Sequence, residues 1–441
     1  MRVETREPAD TDVRARLDPD LAPGEIRREA NELRIGAADL PGDDGLRSAA
    51  AYAARSLRGK GGTIAWGAST PEQVRALVEG TAYGAYDPGL YKRGYDSRPE
   101  LTLVLDTVPE LHALAQRQAI VVRHLDATRN LANRPANDLT PVALAEHARG
   151  LAGDHLAVDA HGRDWIDAQG MGGLGAVSAG SAQEPRLIVM RYDPPEARDE
   201  IVLGLVGKAV TFDSGGISLK KPLRMQDMKG DMSGGAAVIE ATAAIAELGL
   251  PIRVLTVVAA TENVQGNAAY KPGDILRISN GKTIEIVNTD AEGRLILADA
   301  LHYARSNGAT HIADLATLTG AMVRALGDLY AGWFCNDETF AAAVERASAR
   351  SGDLAWRFPL HPRYRRYIDS DFADMKNSSD LGEGSAILAA ELLREFAGEG
   401  AWAHFDIAPA FIERRRPDYA LDQGGTGYGV RLIVELAEEL A

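Results

Sequence analysis

The sequence predicts an α/β protein of more than one domain, with a central, mostly parallel or mixed sheet. Three observations predict it. The runs Ile201–Val206 and Arg253–Ala260 are almost continuously apolar, as strands buried on both faces are. Helical patterns alternate with such runs along the second half of the chain. A length of 441 residues exceeds one ordinary domain and sets an expectation of two or three.

Taken in order, the first 40 residues are polar and rich in Asp, Glu and Arg. Gly45–Leu57 carries Ala and Leu at helical spacing. Thr63–Trp66 reads as a short strand and Pro71–Tyr83 as a helix with proline in its first turn. Leu101–Leu105 is a strand, and Val108–Ala132 a long helix that ends in the turn-forming cluster Asn133–Pro141. A domain boundary is expected in or near that helix, giving 1–121 and 122–441. After Ile201–Val206 comes a Gly-rich loop, then a helix from about Gly234 to Glu247 and the strand Arg253–Ala260. Thr283–Val287, His311–Leu315 and Ala403–Ile407 read as strands. Glu292–Arg305, Ser385–Phe396 and Val430–Leu440 read as helices.

Composition excludes several function classes. The net charge of −15 disfavours sequence-independent nucleic-acid binding, which needs a basic surface. A single cysteine, Cys335, excludes an internal disulfide framework and a cysteine zinc site, and fits a reducing compartment. The charged start Met1–Glu7 has no apolar stretch of the signal-peptide kind, and no apolar run reaches the ~18 residues of a membrane span. A cytoplasmic protein without membrane contact is therefore expected.

Familiar motifs can be set aside. Gly170–Gly175 matches G-x-G-x-x-G but follows a helix-like stretch rather than a strand. Gly281-Lys282-Thr283 lacks the earlier glycine of a phosphate-binding loop, where Leu276 stands. The nine histidines form no H-E-x-x-H pair, and there is no G-x-S-x-G elbow. Cys335 beside Trp333 and Phe334 reads as core.

Two segments concentrate chemistry. One runs from Gly207 to Lys220 and on to Asp231; the other is Asn288–Leu295. Each begins where an apolar strand ends, and open α/β sheets place their sites outside the carboxyl ends of strands. Lys208, Asp213, Lys220 and Asp231 would meet Asp290, Glu292 and Arg294 there. Four converging carboxylates repel unless cations sit among them, and oxygen-rich clusters hold paired divalent metals. Asp290 and Glu292 alternate, so an extended segment would face both the same way. Lys220 and Arg294 would bind a developing oxyanion or an anionic cofactor. Thr289-x-x-Glu292 also fits a capping box, and Asp213–Gly216 a plain turn.

With these residues in view, the chain resembles the leucine (cytosol) aminopeptidases. Asn288-Thr289-Asp290-Ala291-Glu292-Gly293-Arg294-Leu295 is similar in full to that family's signature octapeptide. Thr211–Gly216 matches as well, as do the spacings of 5, 7 and 11 along Lys208, Asp213, Lys220 and Asp231. Asn133–Pro141, Lys271–Asp274, Ala316–Ala321 and Trp402–Ala408 are also similar, so the likeness runs from about Val122 onward. The family's Gly-rich loop is replaced here by Asn377–Ser385, and Ala408-Pro409-Ala410 is unusual.

The resemblance implies a smaller N-terminal α/β domain and a larger C-terminal α/β/α catalytic domain. It implies a metal-dependent aminopeptidase acting through a two-metal-activated water, with manganese or zinc resident and magnesium or cobalt as alternatives. Asp213 and Glu292 would contact both ions, Asp290 would complete the more exchangeable site, and Lys208 and Asp231 the tighter one. Lys208 would then act as a neutral amine, which adjacent dications favour. Lys220 would polarise the scissile carbonyl, and Arg294 would hold a bicarbonate serving as general base. Met228, Thr317, Leu318 and Gly320 would line the pocket for the first side chain, with leucine or another apolar residue preferred. Peptides are the implied partners and a homohexamer the implied assembly. The alternative from another class is a non-peptidase binding or regulatory protein of the same fold.

Overall fold

The computed structural model describes residues 1–40, 42–198, 200–379, 382–408, 418–420 and 424–441. The chain divides into two units, Met1–Asp126 with Arg415–Gln423, and Ala127–Arg414 with Gly424–Ala441.

The first unit holds strands β1 (Arg2–Thr5), β2 (Val13–Leu17), β3 (Ile26–Glu29), β4 (Glu32–Ile35), β5 (Gly62–Ala68) and β6 (Leu101–Thr107). They pair in the order β1-β6-β5-β2-β4-β3, parallel except for β3 against β4. Helices α1 (Asp44–Ser56) and α2 (Pro71–Ala85) pack their alanine-rich faces with Ile64, Trp66, Leu103 and Leu105 in one core. Thr70 caps α2 by accepting from Gln73 N, as the proline that follows it in the sequence favours. The first 40 residues thus carry four strands that polar composition alone does not reveal. On β2, Val13 and Ala15 are buried while Arg14 and Arg16 are exposed, the alternation of a sheet wetted on one face.

Helix α3 (His112–Asn133) runs across the point where the chain passes from the first unit to the second. Helices α4 (Pro141–Arg149), α5 (Arg163–Ala168) and α6 (Gly172–Ser178) follow, with strands β7 (Leu156–His161) and β8 (Arg186–Tyr192) among them. Next come β9 (Val202–Asp213), α7 (Ser233–Glu247), β10 (Arg253–Asn263), β11 (Ile275–Arg277) and β12 (Thr283–Glu285). The rest is α8 (Gly293–Ser306), β13 (His311–Ala316), α9 (Gly320–Leu326), β14 (Ala331–Cys335), α10 (Glu338–Ser351), β15 (Ala355–Arg357), β16 (Met375–Lys376), α11 (Ser385–Ala397), β17 (Ala401–Asp406) and α12 (Val430–Leu440). Among the described residues eight strands form one mixed sheet in the order β15-β14-β17-β13-β9-β10-β8-β7, whose centre β17-β13-β9-β10 is parallel. A small second sheet, β11-β12-β16, stands apart from it. No helix among the described residues is long and apolar enough to cross a membrane.

Helix α7 lies unusually close to β9. A Cβ on Gly207 would fall 2.5 Å from the Cα of Gly235, so only glycine permits this approach. Helix α8 packs against β9 and β10 and carries Asp299, which is fully buried. Its Oδ2 accepts from Leu174 N at 3.0 Å and its Oδ1 from Ser279 N at 2.9 Å. Burial pushes this carboxyl up to about 6, outweighing those donors. Between the ordinary value of 3.8 and about 6, the folded chain therefore binds more protons than the unfolded chain. The contribution of Asp299 to stability rises as pH falls through that window and is smallest above it. We predict that wild-type stability gains on Asp299→Asn as pH drops from about 7 to about 4.5. Urea unfolding at several pH values checks this, and a pH-independent difference contradicts it. Asp299→Ala should cost about 2–4 kcal/mol by leaving two buried N–H groups unpaired.

Candidate active site

Strand β9 runs further than the apolar run indicated, to Asp213, so Lys208 and Asp213 stand on the strand and not in a loop after it. Five residues apart, they would face opposite sides of a flat strand. The pairing with β10 shifts register where Thr261 meets Val210 and Glu262 meets Phe212, leaving Thr211 as an extra residue. That bulge restores both side chains to one face. Both are buried, 2% exposed.

Asp231 follows a short 3-10 turn, Met225–Gly230, and its backbone oxygen accepts from Val210 N at 3.1 Å. Thr317 Oγ1 donates to Asp231 Oδ1 at 2.8 Å. The octapeptide does not leave the central sheet, as strand-end reasoning expected. It follows β12 of the small sheet and is not extended: Glu292 is αR, at the N-cap of α8, with no side-chain cap. The capping-box reading therefore fails, because Thr289 Oγ1 turns away from α8. It donates to Gly215 O at 2.6 Å and accepts from Ser218 N at 2.8 Å.

The structure brings the predicted residues together. Lys208 Nζ stands 2.7 Å from Glu292 Oε1, 2.9 Å from Asp231 Oδ2 and 3.0 Å from the carbonyl of Thr317. Lys220 Nζ stands 2.7 Å from Asp213 Oδ2 and 2.6 Å from Asp290 Oδ1. Carboxylate oxygens of Asp213, Asp231 and Glu292 lie within 4.8 Å of one another. With Arg294, Met228, Thr317, Leu318 and Gly320, these residues line a cleft of about 380 Å³. Ser378 and Ser385 from the departed loop also line it, as does Ala408. Residues 380–381 of that loop, with Pro409 and Ala410, lie outside the described residues.

Electrostatics follow from crowding like charges in a buried place. Burial, reinforced by the charge of Glu292, raises Asp213 to about 6. Burial also raises Asp231 and Asp290. Glu292 moves down: burial opposes its charge, but Lys208 and Lys220 outweigh it. Both lysines resist burial and are held above their ordinary values by these carboxylates. Burial lowers Arg294.

The donor set fits divalent cations. Among the described residues Glu292 Oε2 is buried without a hydrogen-bond partner, and it adjoins a cluster of hard oxygen donors. Arg294 Nε is likewise buried and unpartnered, while Nη1 donates to the carbonyl of Asn377. An oxyanion would satisfy it.

Sequence reasoning missed the groups that hold this arrangement. Asn263 Nδ2 donates to Asp213 Oδ1 at 2.8 Å and to the carbonyl of Thr289 at 3.0 Å, tying the two segments together. Tyr270 Oη donates to the same carbonyl at 2.7 Å. Fully buried Asn377 accepts from Val287 N at 2.9 Å and donates to the carbonyl of Asn288 at 2.6 Å. Asp406, at the end of β17, accepts from Leu318 N, Thr319 N and Thr319 Oγ1 and so fixes the cleft wall. These partners are mostly backbone groups distant in sequence. The available signals were the asparagines at strand ends, Asn263 and Asn377, and the segments Asn377–Ser385 and Trp402–Ala408, which contain Asn377 and Asp406.

Comparison with known proteins agrees with the geometry. Residues 126–434 match the cytosol aminopeptidase family, catalytic domain. A probable cytosol aminopeptidase of Solibacter usitatus is 46% identical over 365 residues, spanning 82% of this chain and 75% of that protein. One of Acidobacterium capsulatum is 40% identical over 452 residues, spanning 96% and 89%. Among solved structures, the bottromycin maturation enzyme BotP in complex with Mn superposes with a TM-score of 0.86 at 33% identity, over 99% of both chains. With a matching domain over most of its length and relatives this close, the chain belongs to the cytosol aminopeptidase family, a family of metal-dependent aminopeptidases.

Proposed function

We propose that this protein removes the N-terminal residue from peptides, with leucine or another apolar residue preferred, and that two divalent cations serve the reaction. The observation that carries the reading is the buried cluster of Asp213, Asp231 and Glu292, flanked by Lys208, Lys220 and Asp290. Lys208, Asp213, Asp231, Asp290 and Glu292 would hold the ions. When bound, such ions supply an acidified water and a Lewis acid for the amine and carbonyl of the substrate. Manganese or zinc suits the donors, with magnesium or cobalt also accepted; the manganese in the BotP structure supports the first.

The chain's own groups divide the remaining tasks. Lys220 keeps its proton, because Asp213 and Asp290 favour the charged form. Its ammonium is part-exposed at the cleft and would donate to the scissile carbonyl oxygen, where negative charge develops. Arg294 would hold a bicarbonate through its unpartnered Nε, placing a proton acceptor beside the cleft. Met228 and Leu318 offer the first side chain an apolar surface, with Thr317 and Gly320 completing the wall. A homohexameric assembly and a cytoplasmic location belong to the same proposal.

The test is release of free leucine from a leucyl peptide by the metal-loaded protein. Cleavage of the free-amine peptide but not its N-acetylated form is expected. No release with any of the four metals would leave a binding or regulatory role in its place.

A further inference from the structure

Arg324, on α9, is exposed and lines the same cleft as the carboxylate cluster. Its Nη1 stands 3.6 Å from where a Cβ on Gly320 would lie, so the guanidinium reaches across a wall position without a side chain. It forms no hydrogen bond or ion pair with any described residue. The acids that line the cleft are engaged elsewhere. Asp227, also in the cleft, accepts from Arg224 Nε at 2.6 Å. The cluster carboxylates meet Lys208 and Lys220. Helix α11, thirteen residues long, packs beside α9 and begins at the same cleft with Ser385. Its N-cap is Gly384, which has no side chain to satisfy the first N–H groups, so the positive end of the helix adds to that of Arg324. A planar guanidinium matches a carboxylate with two parallel hydrogen bonds.

We propose that Arg324 recognises a carboxylate of the substrate. Resting on the aminopeptidase reading, this adds, among the peptides cleaved, a preference for those carrying an acid group near the scissile bond. That group is either the side chain of the first residue or the terminal carboxylate of a short peptide. Met228 and Leu318 take the apolar stem, and the guanidinium meets the acid beyond it.

Two substrate pairs separate these sources on the full chain loaded with manganese. Glutamyl and glutaminyl p-nitroanilide differ in side-chain charge alone; leucyl-glycine and leucyl-glycinamide differ at the terminal carboxylate. The measured quantity is the ratio of kcat/KM within each pair, which a general loss of activity does not move. In one pair the acid is favoured by the wild type, and Arg324→Gln lowers that ratio about tenfold, with Arg324→Lys intermediate. Response of the first pair assigns the side chain, and response of the second the terminus. If both ratios stay within about twofold across the variants, as for a solvated surface arginine, the proposal is overturned. If the wild type cleaves none of the four, the aminopeptidase reading fails and the inference falls with it.

Discussion

Glu292→Gln is expected to lower kcat/KM for a leucyl substrate by about a thousandfold or more. Glu292 is 1% exposed, with one oxygen on Lys208 and the other without a hydrogen-bond partner among the described residues. It lies at the junction of the two segments, within 4.8 Å of oxygens from both Asp213 and Asp231. Glutamine keeps the volume and one carbonyl oxygen but removes the charge. A carboxylate that would help hold the cations is thereby lost, and with it several kcal/mol of transition-state stabilisation. Lys208 also loses one of its two carboxylate partners. Steady-state kinetics and bound-metal analysis on the same preparation check the prediction, with circular dichroism showing that the fold persists. A variant with wild-type activity and metal content contradicts the assignment.

Lys220→Met should lower kcat about a hundred- to a thousandfold while metal content stays at the wild-type level. Lys220 differs from Lys208 in exposure, 23% against 3% for the side chain, so its ammonium can reach a substrate. Methionine fills the same space without a donor. The two lysines also predict opposite metal phenotypes: loss of Lys208 should weaken metal binding, loss of Lys220 should not. In the metal-free protein, Lys220→Met leaves Asp213 and Asp290 facing each other without their cation. Its melting temperature should therefore fall more without metal than with it. Equal loss in both states, or an unchanged kcat, contradicts the role.

The parts of the site legible in the sequence are those whose chemistry is unusual for a protein interior. Charged residues almost never sit fully buried unless paired. Lys208, Asp213, Asp231 and Glu292 clustered at the ends of apolar runs therefore signalled a site before any geometry was known. What the sequence concealed is how they meet. The end of β9 was hidden because Lys208 breaks the apolar run, although ion pairing lets a charge continue inside a central strand. The bulge at Thr211 has no signature, since threonine is an ordinary strand residue. Thr289 offered a local hydrogen-bonding pattern, and the fold chose a partner more than 70 residues away.

The fold was legible on similar terms. The buried parallel strands β9 and β10 stood out as apolar runs and α1 through its spacing, while β13 was read as a short strand and α2 and α8 as helices. Strands β1 to β4 did not, because four or five residues with one wetted face look like polar coil. Asn263, Asn377 and Asp406 were missed for a further reason. Their partners are chiefly backbone groups, which carry no identity in sequence.

The cluster is proposed to hold two catalytic cations. Titrating chelated protein with manganese while following leucine p-nitroanilide hydrolysis and bound metal tests this. Activity is expected to vanish on chelation and return as binding approaches two ions per chain, with Asp290→Ala stopping near one and staying inactive. Full activity in the presence of chelator, or activity saturating without bound metal, would contradict it.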